Sequence, residues 1–164
     1  MILDTLLQAG EIKRYHTHPT IGTQSVAEHT CRVLDVLWYL TNGELSKELI
    51  FLALFHDRHE IETGDIPAIT KWAHPELGTW LDELEKCWIE EMGLDPGWVT
   101  DEEKKLLKQA DMLELCLYAR DQFLLGNRHA RPLYLRGRAY LKDKELLTER
   151  GEQLIEQMNG VFSA

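Results

Sequence analysis

Apolar residues recur three and four positions apart along almost the whole chain, and the strict alternation that marks strands between tight turns is hard to find. A chain patterned this way buries its stripes by packing helix on helix. The expectation is an all-α, compact single-domain bundle of about six to seven helices. With 164 residues, taken as one domain over 1–164, it is long enough to bury a core without disulfides or a structural metal.

Two helix starts are written plainly. Ser25-Val26-Ala27-Glu28 and Thr100-Asp101-Glu102-Glu103 are capping boxes, in which hydroxyl and carboxylate satisfy each other's orphan amides. The first opens a helix with Val26, Val33, Leu34, Leu37 and Leu40 on its buried side, ending near Asn42-Gly43. The second opens a long helix through Leu106, Ala110, Leu113 and Phe123 to Gly126-Asn127. Between them, Ser46 caps a helix that carries Leu49 to Phe55, then His56-Asp57, and is stopped by Gly64. Pro67 starts a short helical turn, and Leu77 to Met92 forms a helix ahead of the Asp95-Pro96-Gly97 turn. A short helix from Ile2 to Ala9 precedes an irregular stretch, 11–24, and two more helices run through Tyr134–Leu141 and Leu146–Met158. Trp72, Trp80 and Trp88 are expected as packing core.

A formal charge of −10 argues against binding nucleic acid, which needs a basic face to displace counterions. A small anionic substrate would need local Arg or Lys to offset that field. Cys31, Cys87 and Cys116 are odd in number and widely spaced, so they read as reduced core thiols of a cytoplasmic protein. No export signal or membrane-length apolar run is visible, and no membrane partner is expected.

His56 and Asp57 emerge side by side from the apolar run. Imidazole suits Zn, Mn, Fe or Co, and an adjacent carboxylate neutralises charge. His29 stands in the first turn of the neighbouring helix, and Asp111 interrupts the apolar pattern of the long one, where a carboxylate is costly to bury unpaired. Brought together by helix packing, His29, His56, Asp57 and Asp111 make a mixed nitrogen and oxygen set suited to a divalent transition metal. Such an ion acidifies a water or polarises a phosphoryl oxygen. Spacing alone leaves plainer readings open, with His29 as a cap or surface residue and Asp111 paired with Lys108.

Arg14-Tyr15, Gln24 to His29, Phe55-His56-Asp57-Arg58-His59-Glu60, Thr63-Gly64-Asp65-Ile66-Pro67 and Asp101 through Asp111 occur in the order found in HD-domain phosphohydrolases. The chain resembles their bacterial 5'-deoxynucleotidase branch. The resemblance implies an HD-type helical fold, a homodimer or higher homo-oligomer, a cytoplasmic enzyme (in a host's cytoplasm if viral), and a deoxynucleotide substrate. It implies His29, His56, Asp57 and Asp111 as metal ligands and Glu60 as the catalytic acid or base. Arg14 and Lys71 would hold phosphate, Tyr15 would stack on sugar or base in place of the family's usual Trp, and Asp65 would meet the sugar hydroxyl. His59 stands where the family has a small residue, and is expected beside the ligands or exposed. His16 and His18 are expected exposed and inert, and Lys13 and Arg32 are candidates for the mouth of the site. Compact viral dATP triphosphohydrolases of the same superfamily offer an alternative activity, cleavage at the α-phosphorus. A noncatalytic nucleotide-binding module is the alternative of another class.

Overall fold

The computed structural model describes the backbone of residues 1–163 and the side chains of 1–162. Eight α-helices are present among them: α1 (Ile2–Gly10), α2 (Val26–Leu40), α3 (Lys47–Phe55), α4 (Ala68–Ala73), α5 (Pro75–Glu91), α6 (Asp101–Leu124), α7 (Ala130–Asp143) and α8 (Glu149–Ser163). Among the described residues there is no strand. An antiparallel bridge between Lys13 and Ser25 ties the 11–24 segment to the start of α2. No described helix is long and apolar enough to cross a membrane.

Both capping boxes form, at Ser25/Glu28 and Thr100/Glu103, and Ser46 caps α3 by accepting from Leu49 N–H. The long helix α6 runs through the centre, packed against α2, α3, α7 and α8. Its middle, from Gln109 to Cys116, is buried on nearly every side, with Asp111 alone partly exposed, at 14% of its side chain. A helix in that position has no solvent face, so any polar residue there must find partners inside.

The third helix ends earlier than expected. α3 stops at Phe55, and the chain passes through Asp57 at φ −111°, ψ 5° into a 3-10 turn over Arg58–Ile61. Gly64 (φ +70°) closes that turn rather than α3. Arg58 fixes the break: its Nε donates to Leu54 O (3.2 Å), a carbonyl left open by the helix end, and its Nη1 donates to Leu6 O (2.9 Å) on α1. Gly10 allows this docking, because a Cβ there would stand 2.5 Å from Arg58 Nη1.

Other expectations need correction. Trp88 is core, but Trp80 is 54% exposed, and Trp72 stacks on Tyr140 (centroids 5.1 Å, interplanar 14°) at the edge of a cavity. Only Cys116 is a core thiol; Cys31 and Cys87 lie exposed on the outer faces of α2 and α5.

Candidate metal centre

The segment 11–24 is laid across the bundle by backbone bonds from Arg14 N to Gln24 O and from Val26 N to Ile12 O, both 2.9 Å. This brings Arg14 and Tyr15 over the start of α2 and the end of α3, where His29, His56 and Asp57 converge. One nitrogen from each histidine and one oxygen of Asp57 lie within 4.8 Å of one another.

Hydrogen bonding decides which nitrogens face inward. His56 Nδ1 lies 3.0 Å from Ala53 O; a carbonyl only accepts, so Nδ1 carries the hydrogen and Nε2 keeps its lone pair. His29 Nδ1 lies 2.8 Å from Glu114 Oε2 and donates in the same way. The two Nε2 atoms then face each other at 3.2 Å, with Asp57 Oδ2 at 3.4 and 3.5 Å. Converging lone pairs and a carboxylate repel unless positive charge joins them. Burial opposes the imidazolium of His29, as does Arg14, yet Glu114 and Asp111 outweigh both and push His29 up to about 9. The donor set therefore fits a divalent transition ion.

Asp111 stands at the edge of this trio. Its Oδ1 is 3.4 Å from His29 Nε2, and its Oδ2 accepts from Lys108 Nζ at 3.0 Å, the pairing that spacing alone had left open. Arg14 makes a short ion pair with Asp57, while its Nε is buried with no partner among the described residues.

Glu114 escaped the sequence reading. It is fully buried and accepts from Gln24 Nε2 (2.9 Å), Arg32 Nε (2.8 Å) and His29 Nδ1, so it orients the His29 ring and commits its tautomer. A signal was present, since Glu114 follows Asp111 by three residues inside the same apolar stretch. Arg32, expected at the mouth, instead buttresses Glu114 from behind and pairs with Asp121 at 2.9 Å. Lys13 does not line the cavity. Removing Glu114 by alanine leaves His29 and Arg32 uncompensated, which is expected to cost about 3 kcal/mol. A thermal melt should read this as a drop on the order of 10 °C. Glu114→Gln, which keeps the shape, should instead weaken metal affinity by about 10- to 100-fold in a competition titration.

A cavity of about 420 Å³ reaches Asp57 of the trio and Asp111, and is lined as well by Arg14, Tyr15, Glu60, Asp65 and Lys71, with Trp72 and Tyr140 on its wall. Glu60 is buried, its Oε1 is 4.0 Å from Lys71 Nζ, and its Oε2 has no partner among the described residues. Burial, with the Asp57 charge nearby, pushes Glu60 up to about 9, so the fold holds it as a neutral acid near neutral pH.

Asp65 does not cap α4; its Oδ2 accepts from Tyr15 N at 2.9 Å. That bond holds Tyr15 at φ +57°, a left-handed conformation costly for a bulky side chain. One face of the Tyr15 ring is covered by Tyr118 (centroids 4.3 Å, interplanar 4°), so a bound sugar or base can meet only what Tyr118 leaves open. His18 lies edge-on to Tyr15 and lines the cavity, against the expectation that it is inert, whereas His16 is exposed. His59 is buried, not exposed.

A second cleft, about 750 Å³, runs between α5, α6 and the 94–100 loop, borders His56 and Asp57, and shares Asp57, Lys71, Lys108 and Asp111 with the first cavity. Glu85 on its wall is pushed up to about 8 by burial and by the charges of Asp57 and Asp82. The folded chain thus keeps a proton that the unfolded chain releases near 4.5, and stability falls as pH rises from about 4.5 to about 8. Glu85→Gln removes this titration. Melts should show the variant above wild type at about pH 9 and equal to it at about pH 4.

Residues 3–149 match the family described as 5'-deoxynucleotidase YfbR-like. Curated 5'-deoxynucleotidases of Yersinia pestis (strain Pestoides F) and Yersinia pseudotuberculosis (serotype O:3, strain YPIII) are 30% identical over 138 residues, covering 71% of this chain and 70% of each relative. Among solved structures, the cyanophage S-2L HD phosphohydrolase DatZ, bound to dA and one catalytic Zn²⁺ ion, superposes with a TM-score of 0.68 at 24% identity, covering 98% of this chain and 96% of that one. An HD-domain phosphohydrolase of Listeria innocua gives 0.65 at 21% identity, covering 96% of each chain. These two likenesses speak to the fold, which is that of the HD phosphohydrolases. From the match over residues 3–149 and the identity to the curated enzymes, the chain belongs to the YfbR-like 5'-deoxynucleotidase family.

Proposed function

We propose that this protein is a metal-dependent phosphohydrolase that cleaves the 5'-phosphate from deoxynucleotides. The carrying observation is the convergence of two imidazole Nε2 atoms on Asp57, whose carboxylate lines a cavity that also holds the buried acid Glu60 and three cationic side chains, Arg14, Lys71 and Lys108. The names of the curated relatives and the deoxynucleoside and Zn²⁺ bound by DatZ support it.

His29, His56 and Asp57 would hold the ion, with Asp111 beside them. When bound, the ion supplies a Lewis acid that acidifies water and draws charge from the phosphate. Zn, Mn, Co and Fe all suit the donor set.

The chain's own residues do the rest. Arg14, through its unpartnered Nε, and Lys71 offset the phosphate charge and orient it. Water adds to phosphorus, the bond from phosphorus to the 5' oxygen breaks, and Glu60 gives its proton to that oxygen; the proton shed by the water passes to solvent and restores Glu60, so the products are phosphate and the deoxynucleoside. Trp72 and Tyr140 form the aromatic wall for the base. Asp65, with one oxygen committed to Tyr15, offers the other to a sugar hydroxyl.

A noncatalytic nucleotide-binding module has no use for a protonated carboxyl buried beside the ligands, and Glu60 favours catalysis. The test is chromatography of products from a panel of deoxynucleoside 5'-monophosphates incubated with Mn²⁺- or Co²⁺-loaded protein. Phosphate release above that of a Glu60→Ala control supports the reading, and its absence for every base rejects it.

A further inference from the structure

The 11–24 segment brings Tyr15 and His18 to the cavity, and past His18 it runs out over the surface. His18 N donates to Tyr15 O at 2.9 Å and closes a turn, but from Pro19 to Thr23 no backbone group pairs with another among the described residues. Pro19 and Ile21 stay exposed, so apolar burial does not hold this stretch down either.

Two buried amides hold it. Near the end of α6, Gln122 Oε1 accepts from Ile21 N at 2.7 Å and Gln122 Nε2 donates to Ile21 O at 2.9 Å, the pairing a neighbouring strand would offer. Asn127, just beyond Gly126, donates from Nδ2 to Pro19 O (2.8 Å) and to Gln122 Oε1 (3.1 Å), while its Oδ1 accepts from His129 N at 3.2 Å. Both amides are fixed in orientation, since a carbonyl only accepts and a backbone N–H only donates.

Gln122 also shares a helix face with the metal centre. Asp111, Glu114, Tyr118 and Gln122 follow one another at steps of three, four and four residues, a single stripe along α6. Asp111 and Glu114 contact His29, Tyr118 backs the Tyr15 ring, and Gln122 grips the chain three residues beyond His18. One helix therefore sets where the cavity-lining segment stands relative to the ligands.

We infer that Gln122, backed by Asn127, is a positioning residue for substrate binding: it seats the 15–21 segment so that Tyr15 and His18 meet the nucleoside. It acts through them and leaves the metal and the proton transfer untouched. The inference rests on the hydrolase reading, in which Arg14 and Lys71 take the phosphate, and deepens it with a residue 101 positions along the chain from the one it grips.

The experiment measures KM, kcat and bound Mn²⁺ with one deoxynucleoside 5'-monophosphate for wild type, Gln122→Met, His18→Ala and the double variant. Methionine keeps the volume of Gln122 and removes both bonds to Ile21, so its effect is not that of a cavity. Gln122→Met is expected to raise KM about 10-fold with kcat within about twofold and metal content unchanged, as when binding common to substrate and transition state is lost. His18→Ala should raise KM about fivefold. In the double variant the two losses should overlap, with KM near that of Gln122→Met alone instead of the product, because the amide acts through the segment that carries His18. An unchanged KM in Gln122→Met, a fall in kcat or bound metal in place of the KM rise, or losses that multiply in the double variant overturns the inference and leaves hydrolysis at the metal centre standing. Wild type that turns over no deoxynucleoside monophosphate overturns the hydrolase reading instead, and the inference is then judged by the same ratios in dissociation constants for that nucleotide on chelator-treated protein.

Discussion

Replacing Asp57 is expected to remove both metal and activity. Asp57 supplies an oxygen at 3.4 and 3.5 Å from the two Nε2 atoms and is the ion-pair partner of Arg14. Alanine would also leave the Arg14 guanidinium buried and uncompensated, so a loss of fold could imitate a loss of metal. Asp57→Asn keeps the volume and a carbonyl for Arg14 while removing the charge. Elemental analysis after dialysis against Mn²⁺ or Zn²⁺ should show occupancy falling to about a tenth of wild type or less in both variants. Phosphate release should fall by about 10³-fold, the equivalent of several kcal/mol of charge stabilisation. Asn variants that melt like wild type yet retain full metal would move the centre away from Asp57.

Glu60→Gln separates binding from chemistry. The amide has the shape of the protonated acid and can donate a hydrogen bond, but it cannot release a proton to the leaving oxygen. The expected result is a kcat lower by about 10²- to 10⁴-fold with metal content unchanged and KM within a few-fold. A variant that loses metal would make Glu60 a ligand, and one that keeps kcat would hand the proton to another group.

Much of this arrangement was legible in the sequence because it is written in local chemistry. The capping boxes at Ser25 and Thr100 fixed the starts of α2 and α6, and with them the register of His29 and Asp111. Adjacent His56 and Asp57 stood out against apolar neighbours. What escaped depends on long-range packing. Glu114 reads as the polar face of an amphipathic helix, and only the central position of α6 turns it into the buried anion behind His29. The break at Asp57 follows from Arg58 reaching carbonyls on α3 and α1, one of them 52 residues away in the chain. Tyr15 kept its place at the cavity but gave one ring face to Tyr118, a contact across 103 residues that no local pattern announces. Trp80 has the spacing of a core residue and lies on a face of α5 that no described helix covers.

The central claim is that water attacks the phosphorus of a deoxynucleoside 5'-phosphate at the His29, His56 and Asp57 centre. Its most direct test is product analysis by mass spectrometry in oxygen-18 water, using chelator-stripped protein with and without returned Mn²⁺. The expected result is phosphate carrying one solvent oxygen, an unlabelled deoxynucleoside, and turnover only after the metal is returned. Label in the deoxynucleoside hydroxyl, turnover indifferent to stripping, or no turnover after Mn²⁺ is restored would contradict it.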